Sequence, residues 1–124
     1  MDARRDFGRP RRLLGKKQFD EVLRGASVRA GRGPLRLSAR DNEVEMARLG
    51  LIVGKRMLPR AVDRNRAKRV IRESFRQAGP LPAMDIVVRV AVPAAQVTIA
   101  DADRLFGALT EIVDRRRLRD FRDE

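Results

Sequence analysis

No cysteine, histidine, tryptophan or tyrosine occurs anywhere in this chain of 124 residues. The first two absences remove thiol nucleophiles, serine triads, imidazole acid–base chemistry and the usual zinc ligand sets. No disulfide can form, which fits a reducing, cytoplasmic location. Aromatic residues are scarce: Phe7, Phe19, Phe75, Phe106 and Phe121 are all there are, so the core must be mostly Leu, Val, Ile and Ala. No run approaches the ~18 apolar residues that a membrane span needs. The N-terminal MDARRDFGRPRR is basic but has no apolar stretch of the signal-peptide kind. The expectation is a soluble protein of the cytoplasm with no membrane partner.

Negative charge is also short. Asp and Glu number 17 against 29 Lys and Arg, a formal net charge of +12. Such an excess costs self-repulsion in the folded state and calls for a polyanionic partner. Nucleic acid comes first and an anionic membrane surface second. Arg greatly outnumbers Lys, which suits forked contacts to phosphate and base edges.

The 43% hydrophobic content is enough for one core, and the length suits one domain. Residues 1–12 read as a flexible basic arm, 13–117 as a single α/β domain and 118–124 as a C-terminal tail. Over 13–23, Leu14, Phe19, Val22 and Leu23 recur at helical spacing, and Gly25 closes the helix. Residues 35–40 alternate, with Leu35, Leu37 and Ala39 on one face and Arg36, Ser38 and Arg40 on the other. That pattern predicts a half-buried strand, preceded by another around Val28. Asp41-Asn42 signals a turn, so the strand predicted at 49–53 is expected to pair back antiparallel. A basic loop, GKRMLP, leads into a helix that starts between Pro59 and Asp63 and runs to about Ala78. Pro59 fits the first turn, Asp63 a capping or dipole-facing position, and Gly79-Pro80 the stop. Residues 85–92, DIVVRVAV, predict a central buried strand, and the β-α-β order from 49 to 92 predicts a parallel crossover unit. Asp101 is expected to cap a last helix that ends in RRRLR. The order is α-β-β-β-α-β-α: an α/β (α+β) two-layer sandwich, with one sheet and helices mainly on one face.

The helix RNRAKRVIRESFR carries the strongest functional signal. At about 100° per residue, Ala67, Val70, Ile71, Ser74, Phe75 and Ala78 share one face. Asn65, Lys68, Arg69, Arg72 and Arg76 fall on the other. A solvated face normally mixes signs to gain i,i+4 pairs. Between Lys55 and Arg76, however, nine basic residues stand against only Asp63 and Glu73. Phosphates offset the resulting repulsion. Arg64 and Arg66 can fork onto them, while Asn65 offers a donor and an acceptor to a base edge or ribose hydroxyl. Asp41, Glu43, Glu45, Asp101 and Asp103 read as turn, edge and cap positions, so no catalytic or metal-ligating residue is expected.

Together, ARLGLIVGKRMLPRAVDRNRAKRVIRESFR (47–76) and LPAMDIVV (81–88) closely resemble the bacterial ribonuclease P protein family. RLLGKKQFDEVLR (12–24) resembles that family's first helix, and the likeness spans about residues 12–115. The resemblance implies a left-handed crossover between the parallel strands, where general handedness rules favour a right-handed one. It also implies that a catalytic RNA carries the chemistry with Mg²⁺, while the protein binds that RNA and the 5′ leader of precursor tRNA. A small-molecule substrate is not implied. By the same resemblance, Arg64, Asn65, Arg66, Lys68, Arg69 and Arg72 contact the catalytic RNA, with Lys55, Arg56 and Arg60 in the loop before them. Phe19 lies near the leader cleft, either as core or as a stacking platform.

The chain departs from the family pattern in several places. Leu23 stands where many members have an aromatic, some members have aromatics near Pro34 and Leu37, and Ala91-Val92 replaces a common basic pair. Lost stacking is worth ~1–3 kcal/mol per base, which shifts leader contacts towards Arg36, Arg40 and shape, while Arg89, on the same strand face as position 91, substitutes for the missing basic pair. The rival reading is a non-catalytic RNA-binding module, such as a ribosomal-protein-like domain or an RNA chaperone. A DNA-binding repressor is disfavoured because strands flank the basic helix.

Overall fold

The elements are α1 (Lys16–Gly25), β1 (Val28–Arg32), β2 (Leu35–Asp41), β3 (Arg48–Ile52), α2 (Ala61–Gln77), β4 (Met84–Val90) and α3 (Ile99–Asp123). The computed structural model describes residues 11–13, 15–93 and 96–123, and the side chains of all of these except 122 and 123. Most of the expected basic arm, and Leu14 of the expected first helix, lie outside the described residues.

Strand β2 alternates as its pattern requires, with Leu35, Leu37 and Ala39 buried and Arg36 and Arg40 exposed. Its N-terminal partner is β1, joined through the two-residue turn Gly33-Pro34. The sheet order is β1-β2-β4-β3. Here the structure corrects one expectation: β3 does not pair back on β2 but runs parallel to β4, which lies between them. Strand β4 buries apolar residues on both faces, since Ile86, Val87 and Val88 are all buried. Burial on both sides favours it for the interior. The turn signal at Asp41-Asn42 ends β2 but builds a longer loop, in which the Asn42 side chain accepts from Val44 N–H at 3.1 Å and donates to the Met46 carbonyl at 3.0 Å.

Helices α2 and α3 cover one face of the sheet. Ala67, Ile71 and Phe75 of α2 meet Ala102, Leu105, Phe106 and Leu109 of α3 in the main core, and Phe75 meets Phe106 edge-on with centroids 5.8 Å apart. Ala78, expected on the buried face, is exposed at the C-cap. Helix α1 crosses the opposite face, where Val22 packs with Leu13 and Val87, flanked by Phe19 and Leu23. Gly50 makes that close approach possible: a Cβ there would come within 2.6 Å of the Phe19 ring.

The helix ends differ in detail from expectation. Pro59 precedes the α2 N-cap, Arg60, instead of occupying the first turn, while Asp63 does sit in that turn. Gly79, at φ 76, takes the left-handed conformation that ends the helix. Helix α3 opens with a reciprocal capping box: Asp101 N–H donates to Thr98 Oγ1 at 3.1 Å, and Thr98 N–H to Asp101 at 3.3 Å. Thr98 is therefore the cap, and Asp101 its partner three residues on. Residues 118–123 continue α3, so the expected C-terminal tail begins inside a helix.

Candidate nucleic-acid interface

The basic loop is a tight turn, closed by Met57 and Leu58 N–H groups on the Gly54 carbonyl, and it leaves Lys55 and Arg56 exposed. Arg60, Asn65, Arg66 and Arg69 of the following segment are exposed as well. Arg64 is half-buried, and its Nη1 donates to the carbonyls of Leu58 at 2.9 Å and Pro59 at 2.8 Å. It thus fastens the loop to the first turn of α2, a structural task not foreseen from sequence. Arg60 and Arg66 line a cavity of ≈ 390 Å³ together with Asp63 and Gln96.

The two acids of the segment are turned to local use. Glu73 accepts from Arg76 at 2.5 Å and Gln77 at 2.9 Å, and these bonds hold its pKa below the usual carboxylate value. Asp63 lies 3.9 Å from Arg60 and faces the positive end of the helix dipole. The remaining cations of the exposed face lack a carboxylate among these two.

Lys68 and Arg72 point the other way, towards the outer edge of β3. There they line a groove of ≈ 150 Å³ with Arg12, Leu13, Phe19 and Gly50. Partial burial, and then the neighbouring Arg12 guanidinium, lower the Arg72 pKa. Arg12 belonged to the expected flexible arm, yet it forms a parallel bridge to Leu49, and the next amide, Leu13 N–H, donates to the Leu49 carbonyl at 3.1 Å. Arg11 stacks on Phe75, with its guanidinium carbon 4.5 Å from the ring centroid. Sequence reasoning missed Arg12 because its placement depends on a tertiary strand contact with no local signal.

The expected leader-binding residues share the sheet face that carries α1. Arg36 and Arg89 are direct cross-strand partners, and Arg40 is the partner of Asp85. Like charges directly opposite destabilise a sheet. Arg36 relieves this by folding back over Gly31 and donating to the Gly33 and Leu35 carbonyls at 2.9 and 2.8 Å. Arg40 reaches the Glu21 carbonyl at 3.5 Å, and Arg29 the Leu23 carbonyl at 3.0 Å. Both guanidiniums therefore hold the last turn of α1 and complement its dipole. Phe19 is half-buried over Gly50 and presents part of its ring to the groove. Arg48 is set apart by its bidentate pair with Asp85 at 2.7 and 2.8 Å, which raises its pKa.

Among the described residues, no group of three or more Asp, Glu, His or Cys is placed to hold a metal. Asp85 is committed to Arg48 and Asn42, and Asp101 to its cap. Among the described residues, no helix is long and apolar enough to cross a membrane.

Residues 7–116 match the family model described as Ribonuclease P. The ribonuclease P protein component of Halorhodospira halophila is 45% identical over 113 residues, covering 90% of each chain. That of Azotobacter vinelandii is 38% identical over 114 residues, covering 91% of this chain and 88% of the relative. Among solved structures, the RNase P protein of Staphylococcus aureus superposes with a TM-score of 0.69 at 26% identity, covering 83% of this chain and 94% of that one. The RNase P protein of Thermotoga maritima gives 0.64 at 25% identity, covering 80% and 94%. A family match over nearly the whole chain, close relatives of the same length and the same fold agree: this chain belongs to the ribonuclease P protein family.

Proposed function

We propose that the loop and exposed face of α2 dock this subunit on the catalytic RNA of ribonuclease P, while the cleft beside α1 holds the 5′ leader of precursor tRNA. The observation that carries this reading is the sign of the α2 surface. Nine cations lie between Lys55 and Arg76, and the two acids among them are turned to Arg60 and to Arg76 and Gln77. Arg56, Arg60, Arg66 and Arg69 supply exposed forks for phosphates, and Asn65 a donor and acceptor for a base edge or 2′-hydroxyl. Lys55 adds a point charge.

The leader reading rests on the other sheet face. Arg36 and Arg89, exposed and opposed in register, set two cations side by side on this face for a leader phosphate. Phe19 offers part of a ring for stacking. Lys68 and Arg72 share a groove with Phe19, so the two surfaces meet at the β3 edge. On this reading the protein supplies no catalytic group. Phosphodiester hydrolysis and its Mg²⁺ belong to the RNA, and the protein adds binding energy remote from the scissile bond. The chain then acts as part of an endoribonuclease that generates the mature 5′ end of tRNA.

The test is reconstitution with a bacterial ribonuclease P RNA and two precursors, one with a full leader and one trimmed to a single nucleotide. The protein should tighten binding of the full-leader precursor and leave the trimmed one unaffected. Equal gains for both would remove the leader from the account.

A further inference from the structure

Helix α3 is longer than the domain needs. At about 1.5 Å per residue, its 25 residues span roughly 37 Å. Its apolar stripe, Leu105, Phe106, Leu109, Ile112 and Val113, packs on the core and then stops. Continuing that stripe at helical spacing leads to Arg116, Arg117 and Asp120, all exposed. From 114 to 121 every residue is exposed, including Leu118 at 59% and Phe121 at 76%. Residues 114–121 therefore project about 12 Å beyond the core as an unpacked rod.

Four arginines, Arg115, Arg116, Arg117 and Arg119, crowd five consecutive positions with no acid between them. Among the described residues, only Arg115 of the four has an ion pair, a 3.3 Å contact with Glu111. Neighbours at i,i+3 and i,i+4, such as Arg116 with Arg119 and Arg115 with Arg119, repel and weaken a helix. A segment this short also has little helical stability of its own. Arginines in the final turn would complement the dipole, but these begin more than a turn earlier. Phe121 and Leu118 lie one turn apart, with Arg117 on the same face. An exposed ring beside guanidinium groups suits base stacking next to phosphate contacts.

We infer that residues 114–121 form a second RNA-binding element, one that grips the backbone of the catalytic RNA away from the α2 surface. A second copy of the chain fits poorly, because pairing two such rods sets arginine against arginine. An anionic bilayer fits poorly too, because two apolar side chains make no membrane-seeking face. The inference rests on the proposed docking of this chain on ribonuclease P RNA, and its test separates the two.

Binding of the full chain to a bacterial ribonuclease P RNA is measured across salt concentrations, with three altered proteins alongside. One carries Arg115→Gln, Arg116→Gln, Arg117→Gln and Arg119→Gln, and another ends at Val113. The third carries Arg66→Glu and Arg69→Glu on α2. Each phosphate contact contributes roughly 0.7–0.9 to the slope of log affinity against log salt. The first two proteins should lose about 3 of that slope and bind about 100–1,000-fold more weakly near 0.1 M salt, with melting temperatures unchanged. If they keep wild-type affinity and slope while the α2 variant weakens, the overhang is not an RNA contact and α2 docking stands. If none of the three weakens, both ideas fall. If the overhang variants lose self-association or vesicle binding but not RNA affinity, the inference is overturned in favour of that other partner.

Discussion

Replacing Gly50 by Ala should lift the Phe19 ring, and with it α1, from the sheet. The new Cβ would sit 2.6 Å from Phe19 Cζ, 2.7 Å from Cε1 and 3.2 Å from Leu13 Cβ. Gly50 is held in the middle of β3 opposite Val87, so its backbone has little room to retreat. The ring must move by about an ångström to restore ordinary contact. Overpacking of this kind costs about 1–3 kcal/mol. Loss of glycine's freedom in the unfolded chain returns about 0.4–1 kcal/mol. The net loss, about 1–2 kcal/mol, corresponds to a fall in Tm of roughly 4–8 °C for a domain of this size. Thermal melts followed by circular dichroism read it directly. The decisive arm is the same change in a Phe19→Ala background, where the clash partner is gone and Gly50→Ala should become neutral or stabilising. An equal cost in both backgrounds would refute the claim that the ring is what Gly50 accommodates.

Two further effects follow from how individual arginines are spent. Asp85→Asn should cost about 2–4 kcal/mol in denaturant unfolding, because it strips the bidentate partner from Arg48, whose side chain is only 20% exposed. Adding Arg48→Met should recover part of that loss, and no recovery would contradict the pairing. Arg64→Ala should lower stability by about 1 kcal/mol by freeing the Leu58 and Pro59 carbonyls. Arg66→Ala, at an exposed position, should leave the unfolding midpoint unchanged.

Local pattern gave the faces of the elements and little of their arrangement. The buried row Ala67, Ile71, Ser74 and Phe75 followed from helical spacing, and Leu35, Leu37 and Ala39 from strand alternation. The parallel run of β3 and β4 followed from the β-α-β order, whereas the antiparallel return of β3 onto β2 did not occur, because β4, buried on both sides, takes the place between them. The helix opposite α2 and α3 was equally hidden: Val22 and Phe19 look like any apolar stripe until Gly50 and Val87 receive them. At the interface, sequence named the cations but not their commitments. Arg64 and Arg40 were legible as charges, whereas the carbonyls that occupy them come from turns and helix ends brought near by folding. Arg12 became part of the groove through a strand contact that composition alone assigned to a loose arm.

The proposed docking of α2 on the catalytic RNA has one direct test. Its measurement is precursor tRNA cleavage by a bacterial ribonuclease P RNA at low Mg²⁺, with wild-type protein and with Arg66→Glu, Arg69→Glu protein, both exposed positions chosen to spare the Arg64 clamp. The wild-type chain should stimulate correct 5′ cleavage, and the reversed one should need a much higher concentration and show a shallower salt dependence. Wild-type protein that gives no stimulation, or a reversed variant that acts at the same concentration with the same salt slope, would contradict it.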